Sequence, residues 1–136
     1  MNTIGLVAAA ATFFGVWYGH VAVRRIEFIS KTLLPAALIF LAGGLVCEFF
    51  ALFSPDRSIS AGLGIFGVTI LWDALELARQ QERVKKGHAP ANPQNPRHAL
   101  ILKTFPSATP LDLVKRGPLG RPADSDEAVQ LLKSKY

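Results

Sequence analysis

The sequence has a single cysteine, and this scarcity limits the chemistry that the chain can carry. Cys47 lies inside the apolar run LAGGLVCEFF, so no second cysteine is available for an internal disulfide. No histidine lies near it at the spacing of a metal site. We interpret Cys47 as a small packing residue in an apolar segment.

Charged residues are also missing from long stretches. Residues 1–78 contain four Lys or Arg and five acids, whereas the other eleven basic residues follow residue 78. Seven of the nine prolines lie after residue 89. This distribution excludes one soluble core and predicts two regions, an apolar domain over 1–87 and a basic, proline-rich tail over 88–136.

Three apolar runs are long enough to cross the roughly 30 Å hydrocarbon core of a bilayer as helices. They cover residues 2–19, 33–53 and 58–78. The third helix is expected to begin at a cap on Ser54 or Ser58, and no helix breaker appears before Gly87. The sequence therefore predicts an all-α membrane protein with three transmembrane helices, the third extended into the cytoplasm.

Basic residues in the connections predict the orientation of these helices. The first connection, residues 20–32, has three basic residues, the second, residues 54–57, has one, and four more follow the third span. The positive-inside rule then places the N-terminus outside and the tail in the cytoplasm, in the bacterial cytoplasmic (inner) membrane. A cleaved signal peptide is the alternative for the first span, but its basic residues follow the apolar run instead of preceding it.

The segment GLGIFG, residues 62–67, matches the pattern of a dinucleotide-binding turn. It follows a polar turn instead of a buried strand and lies early in an apolar helix, so we interpret its glycines as a helix-packing surface. Small residues at similar spacing occur in all three spans. The predicted packing residues are Ala11, Gly15, Gly19, Gly43, Cys47, Ala51, Ser60, Gly64 and Gly67.

Three acids lie within the predicted spans: Glu48, Asp73 and Glu76. Glu48 is the most costly because it lies about five residues from the outer end of the second span. It is either a structural acid that hydrogen-bonds a neighbouring helix or subunit, or part of a proton or cation relay. Asp73 and Glu76 lie near the opposite membrane face. On a helix Asp73 faces Glu76, and Arg79 faces both Glu76 and Arg83, a series of spacings three and four apart that can be compensated locally.

The sequence shows no arrangement typical of an enzyme or of a cofactor site. His20, at the inner end of the first span, is a weak candidate for one axial ligand of a haem or pigment. His88 and His98 lie apart in the tail and do not suggest a metal site. Nucleophile–histidine and paired-carboxylate patterns are missing. We therefore predict a protein that is not an enzyme and has no cofactor and no metal.

A basic cluster follows the third span and is formed by Arg79, Arg83, Lys85 and Lys86. Cations at this level of a helix suit contact with anionic lipid head groups. The cluster has no interleaved aromatic residues for stacking on bases, so nucleic acid is not an expected partner.

The stretch LWDALELARQQERVKKGHAPANPQNPR carries a spaced set of residues. The set is Leu71, Trp72, Glu76, Gln80, Arg83, Val84, Lys86, Gly87, Asn92 and Pro93. It resembles the end of a family of small, uncharacterised bacterial integral membrane proteins, over about residues 1–97. The sequence departs from that family at His88, where a large aromatic residue is expected, and after Arg97. The resemblance implies a three-helix membrane protein without an assigned activity, with Glu27 in the first cytoplasmic loop.

The tail contains short apolar pieces, with helices predicted near 110–116 and 124–135. Such short helices are not stable alone in water. We expect the tail to dock on another cytoplasmic-side protein, and a disordered tail is the alternative. The predicted docking residues are Leu100, Leu102, Leu111, Val129, Leu132 and Tyr136.

Together these features predict a non-catalytic accessory subunit of a larger inner-membrane complex, of the respiratory or photosynthetic electron-transport type. The alternative is a small oligomeric ion or proton transporter or channel that uses Glu48. The expected partners are the lipid bilayer and the other subunits of the complex.

Overall fold

A computed structural model describes residues 2–112 of the chain. Within this range four helices follow one another: α1 (Thr3–Ile29), α2 (Leu34–Phe53), α3 (Arg57–Lys85) and α4 (Pro96–Thr104). The first three are long and apolar enough to cross a membrane, as predicted.

The start of each long helix has a local cause. The side chain of Asn2 accepts a hydrogen bond from the amide of Gly5 and caps α1. Asp56 caps α3 by accepting from the amides of Ser58 and Ile59. The predicted caps of α3, Ser54 and Ser58, are wrong, since a carboxylate binds two free amides at once where a hydroxyl binds one.

The end of α1 differs from the sequence-based expectation. The predicted loop over 20–32 is wrong, because the helix continues ten residues past the first apolar span and stops at Ile29. Residues 20–29 contain no glycine or proline that would end a helix. The end of α3 agrees closely with the prediction, and Gly87 follows it with φ of 73°, a conformation that favours glycine.

The helix α3 packs against both α1 and α2. It is parallel to α1: the hydroxyls of Thr3 and Ser58 lie 3.0 Å apart where both helices begin, and Gly19 meets Asp73 further along. It is antiparallel to α2, since the hydroxyl of Ser60 donates to the carbonyl of Ala51. Both helix pairs therefore depend on the surface of α3.

Large apolar side chains are exposed along all three long helices. Examples are Leu6, Phe13, Leu52 and Val68, of which Leu52 is 80 % exposed. An apolar surface of this extent is unfavourable in water and favourable in lipid. The distribution of exposed residues thus agrees with the lengths of the helices and indicates a membrane protein.

The chain after α3 folds back onto the end of the bundle that carries Arg24, Arg25 and the last turn of α3, which we call the basic end. There Val84, Ala89 and Ile101 form a small buried core together with Ala91. This part of the tail therefore packs on the end of the bundle itself, and docking of the tail on another protein remains a prediction. The small core depends on contacts between residues that are far apart in the sequence.

The two predicted tail helices have different outcomes. Residues 110–112, the start of the helix predicted near 110–116, are not helical. The remainder of that helix, the helix predicted near 124–135, and Val129, Leu132 and Tyr136 lie outside the described residues.

Candidate functional site

A buried polar cluster joins the end of α1 to the start of α4. Glu27 is only 1 % exposed, and its Oε1 accepts from Nη1 of Arg97 at 2.9 Å and from Nε2 of His98 at 2.8 Å. Arg97 also donates through Nη2 to the main-chain carbonyl of Glu27 and through Nε to that of Ser30. A carboxylate removed from water is thus compensated by an ion pair and two hydrogen bonds.

The histidine in this cluster has a defined tautomer. The amide of Asn92 donates to Nδ1 of His98 at 2.8 Å, so Nδ1 is an acceptor and the ring proton is on Nε2. From Nε2 the fully buried ring donates to Glu27. The partners of His98 come from α1 and from the turn before α4, which its position in the tail sequence does not indicate.

Asn95 completes the junction. Its amide nitrogen donates to the carbonyls of Phe28 and Ser30 at 3.1 and 3.0 Å, and its side-chain oxygen caps α4 at the amide of Arg97. The last carbonyls of a helix have no partners within that helix. The start of α4 therefore supplies the donors that the end of α1 needs, and the cluster fixes the tail to the membrane domain.

Beside this cluster lies a groove of about 790 Å³, which we call the basic-end groove. It is lined by α1, by α3 and by the chain around Pro90 and Pro110. Its polar lining residues are His20, Arg24, Arg25, Glu27, Gln80 and Asp112. Gln80 is 6 % exposed, so a buried amide forms part of a wall that also carries two arginines.

The predicted basic cluster on α3 is largely occupied by partners within the chain. Glu76 forms an ion pair with Arg79, as the spacing of three predicts, and another with Arg83, seven residues later. Arg83 also donates to Oε1 of Gln80 at 2.6 Å, and Arg79 lies over the ring of Trp72. Lys85, a lysine of the same cluster, forms an ion pair in which its Nζ lies 2.6 Å from Oε1 of Glu82. Contact of these cations with lipid remains a prediction.

The side chain of Asp73 faces α1 and does not share the partners of Glu76. It lies against Gly19, where a Cβ would clash with its carboxylate, and it interacts electrostatically with His20. His20 itself is exposed at the basic end, and its proposed role as a haem or pigment ligand remains a prediction. Within residues 2–112 no three His, Cys, Asp or Glu side chains form a group that could hold a metal ion.

Glu48 lies at the contact between α2 and α3. Its Oε1 is buried and is the one such side-chain atom within residues 2–112 without a hydrogen-bond partner. The nearest surface is that of Gly67, where an added Cβ would lie 2.6 Å from this oxygen. A glycine surface permits this close approach but offers no side-chain donor. The residue as a whole is only partly buried.

The predicted small residues all lie at or near helix contacts. Gly15, Gly19, Ala51 and Gly67 are buried, and Ala11, Gly43, Cys47, Ser60 and Gly64 are partly buried. Sequence reasoning missed Gly44, where an added Cβ would meet Leu71 at 2.6 Å and a main-chain oxygen at 2.9 Å. Gly62, a glycine of the GLGIFG segment, contacts α1, where an added Cβ would meet Val7 at 2.7 Å. Spacing alone does not show which of two adjacent glycines faces the neighbouring helix.

The predicted docking residues of the tail divide between two environments. Leu100 is 65 % exposed, whereas Leu102 packs against the small core at the basic end. Leu111 is partly buried. Leu100 is thus the member of this described set that is most accessible to another protein.

Fold and sites define a membrane protein with three helices that can cross the bilayer and a tail that packs on one end of them. The chain belongs to the family described as a domain of unknown function (DUF4491), whose model matches residues 2–95. The match covers the three long helices and ends just before α4. It confirms the resemblance to an uncharacterised family. No curated protein and no solved structure matches the chain significantly.

Proposed function

We propose that the chain is a non-catalytic subunit of a larger membrane assembly and that its α2–α3 face contacts another membrane helix near Glu48. The observation that carries this proposal is the buried Oε1 of Glu48, which has no hydrogen-bond partner within residues 2–112. Where water is absent, burying a polar group without a hydrogen-bond partner costs several kcal/mol. The rest of the carboxylate is accessible, since Glu48 is only partly buried, and a donor on a neighbouring subunit removes this cost once the carboxylate rotates toward it.

The distribution of charge supports an orientation for this subunit. Arg24 and Arg25 on α1 lie at the same end as the basic last turn of α3. By the positive-inside rule that end faces the cytoplasm of a bacterium and the N-terminus faces outward. The tail is then on the cytoplasmic side, where exposed Leu100 is available to a second subunit. The electron-transport type of the assembly remains a prediction.

The geometry favours this proposal over transport through Glu48. Glu48 contacts the side of α3 that faces α2, whereas Asp73 contacts Gly19 on the side that faces α1. A proton relay needs ionisable groups in sequence along one path. Glu48, which belongs to α2, and Asp73, which belongs to α3, therefore lie on different sides of α3 and do not form such a path.

The test is to solubilise membranes in a mild detergent and to identify what co-migrates with the chain on a native gel. The proposal predicts a complex larger than the 14.7 kDa chain that contains other proteins. Glu48→Leu should dissociate it because a leucine cannot hydrogen-bond the partner, whereas Glu48→Gln should retain it. A lone chain or a small homo-oligomer in the unaltered sample would contradict the proposal.

Two controls make this test specific. Val46→Ala changes an exposed residue on the other side of the same helix and should leave the complex intact, because it removes no contact near Glu48. The purified chain should also be placed in proteoliposomes and assayed for proton flux. Flux that Glu48→Gln abolishes would support the transporter instead.

A further inference from the structure

We propose that the basic-end groove binds the phosphate of an anionic lipid headgroup, held between Arg24 and Arg25 of α1 and the side-chain amide of Gln80 on α3. The groove has room for such a group, at about 790 Å³, and these three side chains line it. The proposal is independent of any contact at Glu48.

The first step is the availability of the two arginines. Both are exposed, and neither forms a hydrogen bond or an ion pair with another described residue. The cations of α3 are different, because Arg79 and Arg83 already bind Glu76. An arginine without an internal carboxylate keeps its full set of donors for a phosphate, whose oxygens match its planar fork.

The side-chain amide of Gln80 offers a further hydrogen-bond donor to the phosphate. The residue is only 6 % exposed, and its Oε1 accepts from Nη1 of Arg83 at 2.6 Å. Its amide nitrogen is not fully enclosed and has no acceptor among the residues that the structure describes. Because Gln80 lines the groove, a phosphate oxygen there would satisfy this donor.

Two acids also line the groove, and their effect has to be included. The carboxylate of Glu27 accepts from Arg97 and His98, so its charge is already compensated. Asp112 lies near the Pro110 wall. With Arg97 included, three guanidinium groups are present for two carboxylates, and the groove retains a net positive charge.

The position of the groove indicates a lipid and not a free phosphate. Trp17, Tyr18 and Val21 lie on α1 one to two turns before Arg24, and all three are more than half exposed. A headgroup bound at the level of Arg24 therefore has an apolar helix surface next to it for its acyl chains. Tryptophan and tyrosine are typical of this level of the bilayer.

The experiment uses the full chain in nanodiscs that contain phosphatidylglycerol or phosphatidylcholine, and native mass spectrometry counts the lipids that remain bound. The unaltered chain should retain phosphatidylglycerol and release phosphatidylcholine. The double variant Arg24→Gln, Arg25→Gln should bind phosphatidylglycerol roughly 30-fold more weakly, about fivefold for each arginine.

A matched control removes the same charge from the same end of the protein. Lys31→Gln with Lys103→Gln eliminates two exposed cations that do not line the groove and do not belong to the basic cluster of α3, and it should change retention less than about twofold. Equal losses in both double variants would overturn the proposal, since they would show that only overall charge matters.

Gln80→Glu tests the amide separately, because a carboxylate still accepts from Arg83 but repels a phosphate. It should reduce retention of phosphatidylglycerol about as strongly as the loss of one arginine, about fivefold. Unchanged retention would show that Gln80 takes no part and would overturn the proposed site. Displacement of the lipid by millimolar inorganic phosphate would overturn the assignment to a lipid and indicate a free anion.

Discussion

Glu27 and Glu48 are both acids on apolar helices, yet they differ in whether the described residues supply donors to their buried oxygens. Glu27 receives donors from Arg97 and His98, which lie 70 and 71 residues later in the sequence. Glu48 faces the glycine surface of α3, and its Oε1 has no partner within the described residues. Removing the partners of a satisfied buried acid is costly to the chain that contains it, whereas for the unsatisfied acid we propose a donor outside the chain.

The largest expected effect comes from removing the satisfied acid. Glu27→Ala leaves Arg97 and His98 without their acceptor in a buried site, and breaking such a pair costs roughly 3–5 kcal/mol. We expect α4 to detach from the end of α1. Hydrogen–deuterium exchange of the amides of residues 96–104 should measure this loss as faster exchange.

The control for this prediction is Glu82→Ala. Glu82 pairs with Lys85 at 2.6 Å, but its side chain is more than half exposed, so the change should have little effect on α4. Equal protection of α4 in the Glu27 variant and the unaltered chain would show that the cluster does not hold the tail.

An intermediate effect is expected where α2 and α3 approach each other beside Glu48. Gly44→Ala places a methyl group 2.6 Å from Leu71 and 2.9 Å from the carbonyl oxygen of Gly67, so backbone as well as side chain must shift. Overpacking of this kind costs roughly 1–3 kcal/mol. Thermal unfolding of the purified chain in detergent should show a lower midpoint.

The adjacent glycine supplies the matched control. At Gly43 an added Cβ would meet nothing closer than 3.9 Å, so Gly43→Ala should leave the midpoint nearly unchanged. At Gly64 an added Cβ would also meet nothing closer than 3.9 Å, so Gly64→Ala should be tolerated. Gly64→Leu should instead disturb helix association because the leucine side chain is larger. Equal effects of Gly43→Ala and Gly44→Ala would contradict the described α2–α3 contact.

The smallest effect, and one of opposite sign, is expected for the unsatisfied acid. Glu48→Leu removes a buried oxygen without a donor and replaces it with an apolar group of similar size. The isolated chain should become more stable by about 1 kcal/mol. The measurement is again the unfolding midpoint in detergent, with Glu27→Leu as the comparison. A loss of stability as large as that of Glu27→Leu would show that Glu48 has a partner within the chain.

Sequence reasoning located the long helices well and the polar junction poorly. The absence of charge over residues 2–19 and the first breaker at Gly87 depend on consecutive residues, so composition and local conformation suffice to interpret them. Asp56 was missed as a cap because two serines nearby have the same propensity. The signal for the junction was present in the sequence as Asn92, Asn95 and Arg97 before an apolar turn, but its partner lies on α1.

The sequence by itself determined that this chain enters a membrane, since the free energy of placing a helix in lipid is nearly a sum over its own residues. It also determined which end is basic. Only the tertiary structure decided which acids have partners and which cations are free, because hydrogen bonds require donors and acceptors within about 3 Å. Glu27 with Arg97, Glu48 with Gly67, and the absence of a partner for Arg24 and Arg25 among residues 2–112 all follow from the packing of the helices and the return of the tail.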